Sequence, residues 1–113
     1  MSRDEALVLD IVLAAKDVQE FVQGLDWHAF EMSRLHQNAV IRSLEIIGEA
    51  AGKLSANFQA AHPAIPWRDI VNMRHRLIHA YSEVRLDVVW NVVVNETPRL
   101  LGELAPLVPP DNG

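Results

Sequence analysis

Val40, Leu44, Ile47, Ala51, Leu54 and Phe58 recur at steps of four and three residues. This run limits the fold more than any other feature of the chain. Only an α-helix brings positions at that spacing onto one side, and a side that apolar must be covered by other elements. Gly48, Ala50, Ala51 and Gly52 lie inside the same run. Each glycine costs about 1 kcal/mol of helix propensity against alanine, so the pattern predicts a compensating close approach of a second backbone. The start of this helix falls between Trp27 and Ser33.

The flanking segments read as helices too. Ser2 followed by Glu5 has the form of a capping box, and Val8, Ile11, Ala15, Val18, Val22 and Leu25 continue at helical spacing. Gly24 and Asp26 mark the stop. The stretch Ala61-His62-Pro63-Ala64-Ile65-Pro66 is a turn, and Pro66 suits the first position of a third helix running to about His79. Val88 to Val94 is β-branched enough to resemble a strand. Val89, Val93, Leu100, Leu101 and Leu104 fit a helical face, and a lone strand has no partner in a helical chain, so a fourth helix is expected, kinked or interrupted at Pro98. These elements predict an all-α, antiparallel four-helix bundle. Residues 1–105 form its single domain, and 106–113 a flexible, proline-rich tail.

Composition narrows the function. The 113-residue chain has no cysteine, which excludes disulfides, thiolate metal sites and cysteine nucleophiles. No apolar run reaches the roughly 18 residues of a membrane span, and the N-terminus carries Asp4 and Glu5 where a signal peptide is basic. The expectation is a soluble cytoplasmic protein without a membrane partner. A net charge of −5 argues against coating nucleic acid by bulk attraction but leaves room for a locally basic site.

That site is Arg74-His75-Arg76-Leu77-Ile78-His79-Ala80-Tyr81. RNA carries its own nucleophile, the ribose 2′-OH, so cleavage needs proton transfer and charge stabilisation at phosphorus. Imidazole near neutral pH serves as base or acid. Guanidinium stays charged and matches phosphate oxygens with paired donors. If the substrate is RNA, His79 would be the acid/base group and Arg74 the phosphate clamp, with His75, Arg76 and Tyr81 contacting substrate. No metal or cofactor is required.

Ile41 to Ala51, His62-Pro63-Ala64-Ile65-Pro66-Trp67 and Met73 to Tyr81 together resemble the HepT-like branch of the HEPN superfamily, over roughly residues 5 to 105. Its hallmark is an arginine, four to six arbitrary residues and a histidine, matched by Arg74 and His79. A polar residue after the arginine matches His75, and a tyrosine two past the histidine matches Tyr81. The resemblance implies a dimer with both motifs facing one cleft. It also implies an RNase toxin paired with a nucleotidyltransferase antitoxin of the MNT type. In some members that antitoxin adds AMP to the motif tyrosine, here Tyr81.

Other readings compete with these. Arg74 in an apolar stripe can be a structural partner of Glu45 or Glu49. His75 and His79 have the spacing of a helical metal pair, without an HExxH motif or an obvious third ligand. Tyr81 can be a packed tyrosine. The whole chain can be a non-catalytic, nucleotide-binding or interaction module for a nucleotidyltransferase. Geometry also poses a question, because at about 100° per residue Arg74 and His79 point some 140° apart. Either the arginine reaches round, the helix loosens near His79, or a dimer completes the site.

Overall fold

The computed structural model describes residues 2–108, apart from the side chain of Tyr81. Helix α1 (Arg3–Phe21) opens on the capping box: Ser2 Oγ accepts from the Glu5 N–H at 3.1 Å, and Glu5 Oε2 accepts from the Ser2 N–H at 3.3 Å. Two otherwise unpaired donors are satisfied in this way. Beyond α1 the chain reverses at Gly24, whose φ of +80° is left-handed and strained for a residue with a Cβ.

The expected second helix is three helices: α2 (Trp27–Glu31), α3 (Arg34–Lys53) and α4 (Ala56–Ala61). A side-chain cap starts each one. Asp26 Oδ1 accepts from the Ala29 N–H at 2.8 Å, Ser33 Oγ from the His36 N–H at 3.3 Å, and Ser55 Oγ from the Phe58 N–H at 3.1 Å. Local acceptors satisfy the donors that each break exposes, so periodicity outlasts the helix. The apolar seam still packs as one surface. Val40, Leu44, Ile47, Ala51 and Leu54 are buried, and Phe58 packs against them.

Helix α5 (Trp67–His79) begins one residue later than expected, with Pro66 at its cap. Trp67 is buried, and its Nε1–H donates to the carbonyls of Gln59 at 3.2 Å and His62 at 3.1 Å. This ties the turn to the first residue of α5. A 3-10 turn (Tyr81–Glu83) follows.

The last segment is helical throughout. Helix α6 (Leu86–Asn91) passes through a π turn (Val92–Glu96) into α7 (Thr97–Leu104). The π turn is how the helix survives Pro98, which has no N–H and whose ring would strike a carbonyl of the preceding turn. Thr97 sends its N–H and its Oγ1–H to the Val92 carbonyl, the latter at 3.0 Å. The Val93 carbonyl, left over by this shift, accepts from Gln19 Nε2 of α1 at 3.3 Å. Pro98 therefore bulges the helix rather than ending it. Ala105–Leu107 add a 3-10 turn, and residues 109–113 of the expected tail lie outside the described part.

Four principal helical segments thus form an all-α bundle. Helix α3 packs on α1 and α5, and α1 packs on α7. The start of α1 meets the chain just past the end of α3, so these two run antiparallel: the Asp4 carboxylate accepts from the Ser55 N–H at 2.9 Å and Oγ–H at 2.6 Å. Val8, Ile11, Val12 and Val18 interlock with Val40, Leu44, Ile47, Val89, Val93 and Leu104. Each such side chain contributes about 1.5–3 kcal/mol on burial. Phe30 is fully buried with its ring centroid 5.0 Å from that of Trp90. Helix α5 packs chiefly against α3.

Candidate functional site

Helix α5 divides sharply into two faces. Trp67 and Leu77 are buried, and Ile70, Val71 and Arg74 are half-buried toward α3. Arg68, Asn72, His75, Arg76 and His79 are exposed.

Arg74 sits where α3 and α5 come closest. A Cβ built on Gly48 would lie 2.4 Å from Arg74 Cβ and 3.2 Å from both Arg74 Cγ and the Ile70 carbonyl oxygen. This is the close approach that the small residues of α3 foretell, and it resides at Gly48. At Gly52 the nearest atom is a Val71 methyl, 3.6 Å away.

The structural pairing of Arg74 with Glu45 or Glu49 is not found. Glu45 pairs with Arg42 at 3.7 Å, and Glu49 with Lys53 at 3.3 Å, each within one turn of α3 itself. Arg74 makes no ion pair among the described residues, and its Nε is buried without a hydrogen-bond partner. Leaving such a donor unmet costs about 1–3 kcal/mol, more for a charged group. The root of the side chain is clamped against α3, and its charge has no carboxylate partner among the described residues.

His79 is the last residue of α5 and is exposed. Its ring stacks with that of His75, centroids 6.0 Å apart and planes 20° apart, so the two imidazoles share one surface. Helix α5 is regular through His79, which removes the loosened helix as a way to join His79 to Arg74. Within one chain the pair lies on different sides of α5. Arg76 flanks the histidines. The 3-10 turn after α5 begins at Tyr81, whose side chain lies outside the described part.

Electrostatics single out this helix. Arg42, Lys53, Arg85 and Arg99 each pair with a carboxylate, whereas Arg68, Arg74 and Arg76, like Arg3, Lys16 and Arg34 elsewhere, have none among the described residues. Three arginines against Asp69 give α5 a charge of +2 in a chain of −5. Among the described residues no three His, Asp or Glu side chains group as metal ligands, and no helix is long and apolar enough to cross a membrane.

Two clefts border α5. One, of about 450 Å³, is apolar and lies between α3, α5 and the last helical segment, over Leu44, Ile47, Ile70, Met73, Val92 and Leu100. It contains none of the histidines. The other, about 570 Å³ and open, lies beside Gln59, Trp67, Arg68 and Asn72. Sequence reasoning gave neither Arg68 nor Asn72 a place in the site. The signal was available, since 68, 72, 75 and 79 repeat at four, three and four.

The family model described as Ribonuclease HepT-like matches residues 11–106. The chain belongs to this family. Its HepT-like relatives include a protein of Thermococcus cleftensis named as the ribonuclease HepT, 41% identical over 98 residues, covering 87% of this chain and 89% of the relative. A protein of Methanocaldococcus jannaschii named as an RNase, MJ0127, is 33% identical over 103 residues, covering 91% and 85%. A third, MJ0434 of the same organism, carries gamma-glutamylcyclotransferase and RNase in one name; there the match is 34% identical and covers 92% of this chain and 47% of the relative. No solved structure matches the chain. The matched stretch contains the whole of α3 and α5, and with them the Gly48–Arg74 contact and the two stacked histidines.

Proposed function

We propose that this HepT-like chain is an endoribonuclease toxin that cuts RNA without a metal, at a cleft between two copies of the chain. The observation that carries this is Arg74, its root locked against Gly48 and its guanidinium without a counter-ion among the described residues. A phosphate is an anion its paired donors fit. His79 takes the proton of the 2′-OH as the 2′-oxygen bonds to phosphorus. An imidazolium, from His79 of the second copy, gives its proton to the departing 5′-oxygen. The P–O5′ bond breaks, leaving a 2′,3′-cyclic phosphate and a 5′-OH. Arg74 neutralises charge gathering on the phosphorane. His75 and Arg76, exposed beside His79, hold neighbouring substrate groups.

The dimer is the reading we favour. A regular α5 separates Arg74 from His79 by about 140°, so either the long arginine reaches round the helix or a second chain brings both groups to one phosphate, and we take the second chain. Control by a nucleotidyltransferase antitoxin of the MNT type fits the position of Tyr81, two residues past His79 at the exit of α5. AMP on that phenol would add bulk and negative charge beside an anion site and exclude RNA. The setting is the cytoplasm, where RNA is accessible.

The test is cleavage of RNA by the purified chain in EDTA, beside Arg74→Ala and His79→Ala. Cleavage by wild type, loss in both variants and a cyclic phosphate end are expected. Full activity in either variant refutes its role, and a chain that binds the nucleotidyltransferase yet cuts nothing is an interaction module. Intact mass after co-expression with the antitoxin reads out AMP addition, which Tyr81→Phe abolishes.

A further inference from the structure

We infer that Arg68 and Asn72 belong to a track for single-stranded RNA, which runs along the exposed face of α5 from His79 toward its N-terminus. The inference rests on the ribonuclease reading and extends it to residues outside the cutting motif. At about 100° per residue, Arg68, Asn72, His75 and His79 fall within about 60° of one another on α5. Eleven residues of helix separate the ends of this stripe, about 16 Å. That length takes several phosphates of one strand, at about 3.4 Å apiece along a stacked axis.

All four side chains are exposed, and none is aliphatic or acidic. An ordinary solvated helix face mixes signs and forms ion pairs one turn apart. Helix α3 does so through Arg42–Glu45 and Lys53–Glu49. The α5 stripe forms none, and Arg68 has no carboxylate partner among the described residues. In a chain of −5 a strip with an unpaired arginine and no carboxylate of its own repels a polyanion little. Arginine forks a phosphate, the asparagine amide both donates and accepts, and imidazole stacks on bases. Beside Arg68 and Asn72 the open recess of about 570 Å³, with Gln59 and Trp67 in its wall and Asp69 as its one lining carboxylate, gives a splayed base somewhere to go. A narrow stripe one residue wide suits a single strand, since duplex RNA is gripped across its broad minor groove.

The experiment is a salt titration of binding to a labelled single-stranded oligoribonucleotide, in a His79→Ala background so that the probe survives. Arg68→Gln removes one phosphate contact, and the slope of log affinity against log salt falls by about 0.7. Between about 50 and about 200 mM salt this variant then loses about threefold less affinity than its parent. Arg68→Lys keeps the slope. Lys16→Gln, an equal loss of charge on the exposed side of α1, leaves binding unchanged. Asn72→Ala removes the gain in affinity that a longer oligonucleotide shows over a shorter one. A slope for Arg68→Gln equal to that for Lys16→Gln overturns the track. Cleavage by the chain with His79 intact is scored separately. Cutting with an Arg68-independent slope overturns the track alone, and an Arg68-dependent slope without cutting overturns the nuclease reading alone.

Discussion

Replacing Gly48 with alanine adds one methyl group where α3 and α5 have no room for it. The new Cβ would stand 2.4 Å from Arg74 Cβ and 3.2 Å from the Ile70 carbonyl oxygen. Carbon atoms rest at about 3.5–4.0 Å, so the helices must part by about 1 Å or more. Neither atom is the end of a flexible side chain, and the strain falls on two backbones. Overpacking of this kind costs about 1–3 kcal/mol, and the rigid contact places it near the top of that range. Alanine returns about 1 kcal/mol of helix propensity. The net loss is about 2 kcal/mol, a fall in Tm of about 8 °C for a domain of this size. Gly52→Ala, one turn along, is the matched control. Its nearest contact is an ordinary 3.6 Å to a Val71 methyl, so propensity dominates and Tm rises by up to about 5 °C. Thermal unfolding followed by circular dichroism measures both. The Gly48 variant also moves Arg74, and a displacement of about 1 Å can cost on the order of 100-fold in kcat, read from RNA cleavage below the melting range. If Gly48→Ala melts at or above the Gly52→Ala temperature, α3 and α5 do not cross as described and the clamped Arg74 is wrong.

Other outcomes follow from single contacts. Asp4 is held below the usual carboxylate range, first by the Ser55 hydroxyl and then by the Ser55 N–H. A depressed folded pKa stabilises above the unfolded value of 3.8, and the gain disappears as pH falls through the lower folded value. The Tm gap between wild type and Asp4→Asn should therefore be constant near neutrality and close in acid below about pH 4. Thr97→Val deletes the Oγ1–H bond to the Val92 carbonyl at a buried site and should cost about 1 kcal/mol in urea unfolding. Leu104→Ala, at a fully buried position on α7, should cost about 2–5 kcal/mol in the same assay. His79→Ala, at an exposed helix end, should melt within about 0.5 kcal/mol of wild type while cleavage is lost.

Much of this molecule was legible in its sequence because local rules act over a few residues. The capping box at Ser2 and Glu5 and the apolar seam of α3 stand where pattern places them, whereas α1 stops at Phe21, three residues before the Gly24 that pattern made its end. The family resemblance was equally local, carried by α3, the Pro66–Trp67 start and the motif of α5. Periodicity could not show that the seam is broken at Ser33 and Ser55, because a capped break keeps the apolar residues in phase. Nor could it show that Pro98 is absorbed by a π turn, or that Gln19 of another helix meets the Val93 carbonyl there.

For the site the division is sharper. Residue order alone set Arg74 and His79 about 140° apart on one helix, and no folding of a regular α5 changes that. Which residue of α3 meets Arg74, and that Glu45 and Glu49 are engaged elsewhere, are facts of helix–helix packing. A guanidinium's partners are chosen in three dimensions by which backbone comes close enough to clamp it and which carboxylates stay out of reach. The sequence determined that the chain has an arginine and a histidine to offer. Only the packing of α5 on α3 decided that the arginine is left without a counter-ion among the described residues.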